Sequence, residues 1–170
     1  DLAEPARFLV PPAIWRSVGE EREYEYDPEK ARRLLAQVTL PKEPVELWHM
    51  TYGRPYVPEP HRVAEFIKES LRKIGLEVSL TGFDINAYSS KVREPGHPMY
   101  LMGWSADYAD PDNFLYTLLH KSASGETNNA FFEHEEFSDL VAKAQSEVDA
   151  VKRKDLYRRA AEIYQAELPT

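Results

Sequence analysis

Three short segments rich in strand-forming residues, VELWHM (45–50), EVSLTGF (77–83) and MYLMGW (99–104), are separated by stretches with helical spacing. This order constrains the fold more than any other feature of the chain. Strands joined by helices pair as parallel neighbours, because the helix carries the chain back to the start of the sheet, and such crossovers are right-handed. The expected fold class is therefore α/β, a parallel sheet flanked by helices.

The helical stretches carry their own punctuation. DPEKARRLLAQ predicts a helix with Asp27 as N-cap, Pro28 at the first helical position and Leu34 and Leu35 facing inward. From His61 the set Val63, Phe66, Ile67, Leu71 and Ile74 has helical spacing, and Gly75 sits where a C-cap glycine belongs. DINAYSSKVREPG reads as a short helix capped by Asp84 and ended by Pro95 and Gly96. MYLMGW is a continuous apolar run, as expected for a strand covered on both faces. After it come DNFLYTLLH, a helix around Phe137, Leu140, Val141, Ala144 and Val148, and VKRKDLYRRAAEIYQAEL. Residues 1–26, Pro-rich and charged, read as an extended lead-in, and residues 27–170 as one α/β lobe.

Composition narrows the function classes. At 170 residues the chain has the length of about one domain. A formal charge of −8 and the lack of a basic stripe argue against nucleic acid as a partner. There are no cysteines, hence no disulfides or thiolate metal sites. No segment approaches the length of an apolar membrane span. The chain opens DLAEPARF without Met and stops at AELPT just after a helical pattern, which reads as a piece of something larger.

The stretch GWSADYADPDNF (103–114) poses the functional question, because Asp107 and Asp110 directly follow an apolar run. Ligands of open parallel sheets bind beyond the carboxyl ends of the strands. Asp107 lies just past the third strand and Arg54, in YGRPY, just past the first, with Trp48, Tyr52, Tyr56, Trp104 and Tyr108 nearby in sequence. That is a candidate site with a cation, an anion and aromatic walls. Each residue also has a plain structural role to offer. Asp110, before Pro111 and Asp112, resembles a turn or N-cap residue for the helix DNFLYTLLH. Arg54 can be a solvated loop cation, and the tryptophans can be core. For Asp107, ligand contact and turn chemistry both stand. EHEE (133–136) lies at a helix start, where acidic residues suit the helix dipole, and His49, His61, His97 and His120 show no ligand spacing with it, so no metal or other cofactor is expected. Enzyme motifs such as G-x-S-x-G, a phosphate-cradling glycine loop or H-E-x-x-H are absent. A hydrolase using Asp107 and Asp110 as an acid/base pair is the alternative from another class.

The segments YDPEKARRLLAQ, ELWHMTYGRPYVPEPHRVAEFIKESLRKIGLEV, MGWSADYADPDNF and FSDLVAKAQSEVD, in this order, resemble the extracellular solute-binding proteins of bacterial peptide/nickel ABC importers, nearest to the dipeptide-binding members. The resemblance runs from about Phe8 to the end and implies one lobe of a two-lobe flytrap fold, the later lobe, without the first. It implies that Asp107, in the GW-x-x-D motif, holds a peptide's α-amino group and that Arg54, in R-P-Y, holds its α-carboxylate. Binders of tripeptides and longer peptides carry an arginine two residues before the GW pair, where this chain has Leu101. Dipeptides are thus the implied ligand, although relatives with the same lobe carry nickel chelates, glutathione, sugars or haem precursors. The implied partners are the importer's permease subunits and the missing first lobe, and the implied place is the periplasm or an extracellular membrane-anchored position. The lobe is expected to be monomeric and not an enzyme.

Overall fold

The structure, a computed structural model, describes residues 8–15 and 25–170. The backbone gathers into two compact units: Glu25–Ser105, and Ala106–Thr170 together with the described residues 8–15.

The first unit is built on a sheet of three parallel strands in the order β2-β1-β3, with β1 Val45–Met50, β2 Val78–Phe83 and β3 Met99–Tyr100. Register runs from Val45 opposite Val78 to Met50 opposite Phe83, and Trp48 stands opposite Tyr100. The side-chain alternation of a strand then sends Leu47 and Val78 to one face and Met50 to the other. On the first face Leu47, Val78 and Ala64 form a buried cluster, closed by Ile67 and Leu71 of helix α2 (Pro60–Arg72) and by Leu80, Met99 and Leu101. On the second, Met50 meets Tyr88 and Val92, from helix α3 (Ile85–Lys91) and its C-cap, with Trp48, Tyr56, Phe83 and Tyr100 around them.

Local chemistry explains the helix ends. Helix α1 (Pro28–Leu35) starts where Asp27 accepts the Lys30 amide at 2.8 Å, and α3 where Asp84 accepts the Asn86 and Ala87 amides. Past α2 the chain turns through Gly75 at φ +95°, a left-handed conformation that only glycine adopts without strain.

Three expectations need correction. Leu34, Val63 and Phe66 do not face inward: Phe66 is 74% exposed. The buried stripe of α2 is Pro60, Ala64, Ile67 and Leu71, and Val63 and Phe66 each precede a stripe residue by one position, about 100° around the helix. Helix α1 buries no residue, so Leu34 has no core to meet. MYLMGW does not form a six-residue strand; pairing stops at Tyr100, apart from the Leu101 amide on the Trp48 carbonyl at 2.9 Å, and Met102 is exposed. Gly103 leaves the sheet because the Tyr56 ring occupies the place beside it.

The second unit is helical: α4 (Asp112–Leu119), a 3-10 turn (Lys121–Ala123), α5 (Glu135–Ser146) and α6 (Ala150–Glu167). Phe137, Leu140, Val141 and Ala144 of α5 are buried, as are Tyr157, Ala160, Ala161 and Tyr164 of α6 and Phe114, Leu115 and Leu119 of α4. Val148, expected inside, is exposed because α5 ends at Ser146 and leaves it on the link to α6. From the lead-in, Phe8 meets Tyr164 edge-on at 5.3 Å and Trp15 meets Tyr157 edge-on at 5.1 Å. Residues 1–7 and 16–24 of the lead-in lie outside the described residues.

One buried hydroxyl ties the sheet at the end of β3. Tyr88, fully buried, donates to the Leu101 carbonyl at 2.7 Å and lies 3.2 Å from the Trp48 carbonyl. Burial pushes its pKa far up, so it remains a donor at any working pH. Tyr88→Phe is expected to lower stability by about 1–2 kcal/mol, read from urea unfolding, through the loss of this bond.

Candidate functional site

Arg54 sits on a loop that the sequence makes narrow. Arg54 and Val57 exchange both backbone hydrogen bonds at 3.0 Å, with Pro55 and Tyr56 at the tip. Gly53 allows the fold-back, since a Cβ there would lie 2.2 Å from the Pro58 oxygen. The Arg54 side chain is exposed, its guanidinium carbon 6.0 Å from the Tyr56 ring centre, and it makes no ion pair among the described residues.

Tyr56 joins this loop to the segment after β3. A Cβ on Gly103 would come within 2.4 Å of the Tyr56 ring, so the glycine of the GW pair is the residue that lets the ring lie against the backbone. The loop bearing Arg54 and the stretch leading to Trp104 are thereby brought together, with Trp104 half-buried and Tyr52 41% exposed. Trp48 is placed differently, inside β1. Its Nε1 donates to Glu46 Oε2 at 2.5 Å, its ring meets Phe83 edge-on, and the Lys91 ammonium stands 5.5 Å from its centre. This half-buried ring packs on the α3 face of the sheet. Gly103→Ala forces the Tyr56 ring aside and is expected to cost about 1–3 kcal/mol, measured by denaturant unfolding.

Asp107 and Tyr108 belong to the helical unit. The Asp107 amide donates to Asn113 Oδ1 at 3.1 Å, while its carboxylate is exposed and has no hydrogen-bond partner among the described residues. Asp110 is spent on structure. Its Oδ1 accepts the Asp112 amide at 2.9 Å, a turn bond just ahead of α4, whose N-cap position is Pro111, and both oxygens take the fork of Arg153 at 2.8 and 2.9 Å. Arg153 also donates Nε to the Ala144 carbonyl and Nη2 to the Tyr157 hydroxyl, with its guanidinium 5.0 Å from the Tyr157 ring centre. Partial burial raises the Asp110 pKa, but the Arg153 and Asp112 hydrogen bonds and the Arg153 charge outweigh it and hold the carboxyl below its usual range. Asp110 therefore has no proton to give near neutral pH, and the acid/base pairing with Asp107 lacks its acid. Tyr108, half-exposed, donates its hydroxyl to buried Asp112 at 2.7 Å, and that bond raises its pKa.

The EHEE cluster is likewise occupied. His134 caps α5 by accepting the Phe137 amide at 3.2 Å, Glu135 pairs with Lys121, and Glu136 pairs with Arg159 at 3.3 Å. No group of three or more His, Asp or Glu among the described residues forms a metal cage. Sequence reasoning missed Arg153 and the Tyr56–Gly103 contact; neither has a local pattern that announces it.

The depressed Asp110 pKa makes its contribution present above the unfolded-state carboxylate pKa and lost as pH falls through the lower folded-state value. Asp110→Asn is expected to lose about 1–2 kcal/mol at neutral pH. The gap to the native chain should close as pH falls below the unfolded-state carboxylate pKa and through the lower folded-state one, followed by chemical unfolding across pH.

The sequence model for bacterial extracellular solute-binding proteins, family 5 Middle, matches residues 1–126. The Escherichia coli dipeptide-binding protein is 34% identical over 166 residues, which is 96% of this chain and 31% of that protein. Heme-binding protein A of Haemophilus influenzae is 35% identical over 165 residues, 96% of this chain and 30% of that one. The crystal structure of a Pseudoalteromonas dipeptide-binding protein in complex with Met-Leu superposes with a TM-score of 0.87 at 33% identity, over 96% of this chain and 33% of the other. The chain thus spans about a third of the length of the proteins it matches.

Proposed function

The chain belongs to the bacterial extracellular solute-binding proteins of family 5, and from that premise we propose that it is one lobe of a receptor that captures dipeptides by their charged ends and delivers them to an ABC importer. The observation that carries this reading is the fate of the charges in the two motifs. Asp110 is consumed by Arg153, while Arg54 and Asp107 are exposed and without ion-pair partners among the described residues. Arg54 takes the peptide's carboxylate, since its planar fork makes two parallel hydrogen bonds. Asp107 takes the ammonium as a compact acceptor. Tyr52, Trp104, Tyr108 and Trp48 supply aromatic surface that accepts varied side chains. Leu101, where binders of longer peptides carry arginine, favours the dipeptide. The complete receptor works in the periplasm, or anchored outside the membrane, as a monomer, with permease subunits and its first lobe as partners. It binds its ligand and does not cleave it.

In the full-length receptor, Arg54→Ala or Asp107→Ala leaves a ligand charge desolvated, at about 2–5 kcal/mol, or roughly 30- to several-thousand-fold in affinity. Calorimetry with free, N-acetylated and C-amidated dipeptides reads this out, and Asp107→Ala should lose discrimination against the acetylated ligand, Arg54→Ala against the amidated one. Wild-type affinity in both variants, with blocked dipeptides still rejected, would sink the clamp. Heme as the tighter ligand would move the receptor to the chemistry named for its Haemophilus relative. Free amino acids released from dipeptides would favour the hydrolase.

A further inference from the structure

The first face of the sheet carries a pair of imidazoles that solute capture does not use. His49, in β1, is 5% exposed, and its Nε2 lies 3.3 Å from Nδ1 of His61 in the first turn of α2. The space is prepared for it. Gly82 stands opposite His49 in β2, and a Cβ there would lie 3.1 Å from His49 Cε1. Of the outer nitrogens, His49 Nδ1 donates to the Met50 carbonyl at 2.8 Å, and His61 Nε2 has the Glu65 carboxylate as a neighbour at 3.6 Å, beyond hydrogen-bond distance. The Met50 carbonyl holds His49 in the tautomer that leaves its Nε2 lone pair free, and the Glu65 carboxylate stands on the side of His61 where an Nε2 proton would go once a metal takes Nδ1, the arrangement by which proteins orient metal-bound histidines.

The inner separation has the right size. Two nitrogens each about 2.0–2.1 Å from a tetrahedral zinc ion stand about 3.3–3.4 Å apart. We propose that His49 Nε2 and His61 Nδ1 together hold one divalent transition-metal ion of the imidazole-preferring class, zinc, copper or nickel, with water in the remaining positions. Without metal, a single proton shared between these nitrogens occupies the same place; with metal, that proton leaves Nδ1 and His61 carries its proton on Nε2, toward Glu65. Among the described residues no third His, Asp or Glu joins them as a cage, so the protein supplies two ligands. The two ligands flank residues 50–60, and the ion would clip the base of the loop that carries Arg54.

Titration of the 170-residue chain with zinc chloride, followed by calorimetry and by histidine-ring NMR, tests this. The expected result is one ion bound per chain, with ring shifts confined to His49 and His61 and a higher melting temperature that chelator reverses. His61→Ala, an exposed position that spares the core, should remove the binding and the melting shift, and Glu65→Gln should weaken binding about tenfold. Replacing His97, His120 and His134 should change neither. Unchanged affinity in His61→Ala, or shifts at the other three histidines instead, would overturn the proposal.

Discussion

The guanidinium of Arg153 organises the helical unit. It grips the Asp110 carboxylate with two hydrogen bonds, donates Nε to the Ala144 carbonyl near the end of α5, and lies over Tyr157 of its own helix. Three chain segments, the turn before α4, the end of α5 and the start of α6, are thus held by one planar group. Arginine suits this because its donors form a rigid fork and its charge survives partial burial. With Asp110 fixed, the Asp112 amide is capped, and Asp112 turns inward to receive Tyr108 and Gln145. Of the two aspartates that open this motif, Asp110 is held by Arg153, and Asp107 is exposed with no ion pair among the described residues.

In the other unit an analogous economy operates with aromatic rings. Tyr88 ties the last pairing residues of β3 to β1 from below, and Tyr56 lies on Gly103 just beyond them. The strand after Tyr100 therefore ends where a ring, and not another strand, becomes its neighbour. Gly53 and Gly103 are needed for different reasons than flexibility: each lets another part of the chain approach where a methyl group would collide. Arg54 gains a defined position from this packing and from its backbone bonds with Val57, while its guanidinium makes no ion pair among the described residues.

Much of this was legible in the chain itself. The three parallel strands and the helices between them follow from periodicity, and the caps at Asp27, Asp84 and Gly75 follow from backbone preferences. Arg54 and Asp107 were named from the chain because each follows a strand segment and ligands of open parallel sheets bind past strand ends; their role in binding is a proposal. Less legible were the faces of α1 and α2, because Leu34 and Phe66 have apolar side chains at helical spacing yet stay exposed.

Sequence by itself determined what depends on neighbours within about one helical turn or along one strand: element type, caps, turns, and which residues alternate across the sheet. Tertiary structure alone decided which charges are spent and which remain. Asp110 and Arg153 are 43 residues apart, His49 and His61 are 12 apart across a loop, and Tyr56 meets Gly103 only once the strands have paired. No local pattern encodes such meetings, because side-chain pairing energies act only after the backbone has brought distant residues within hydrogen-bonding reach.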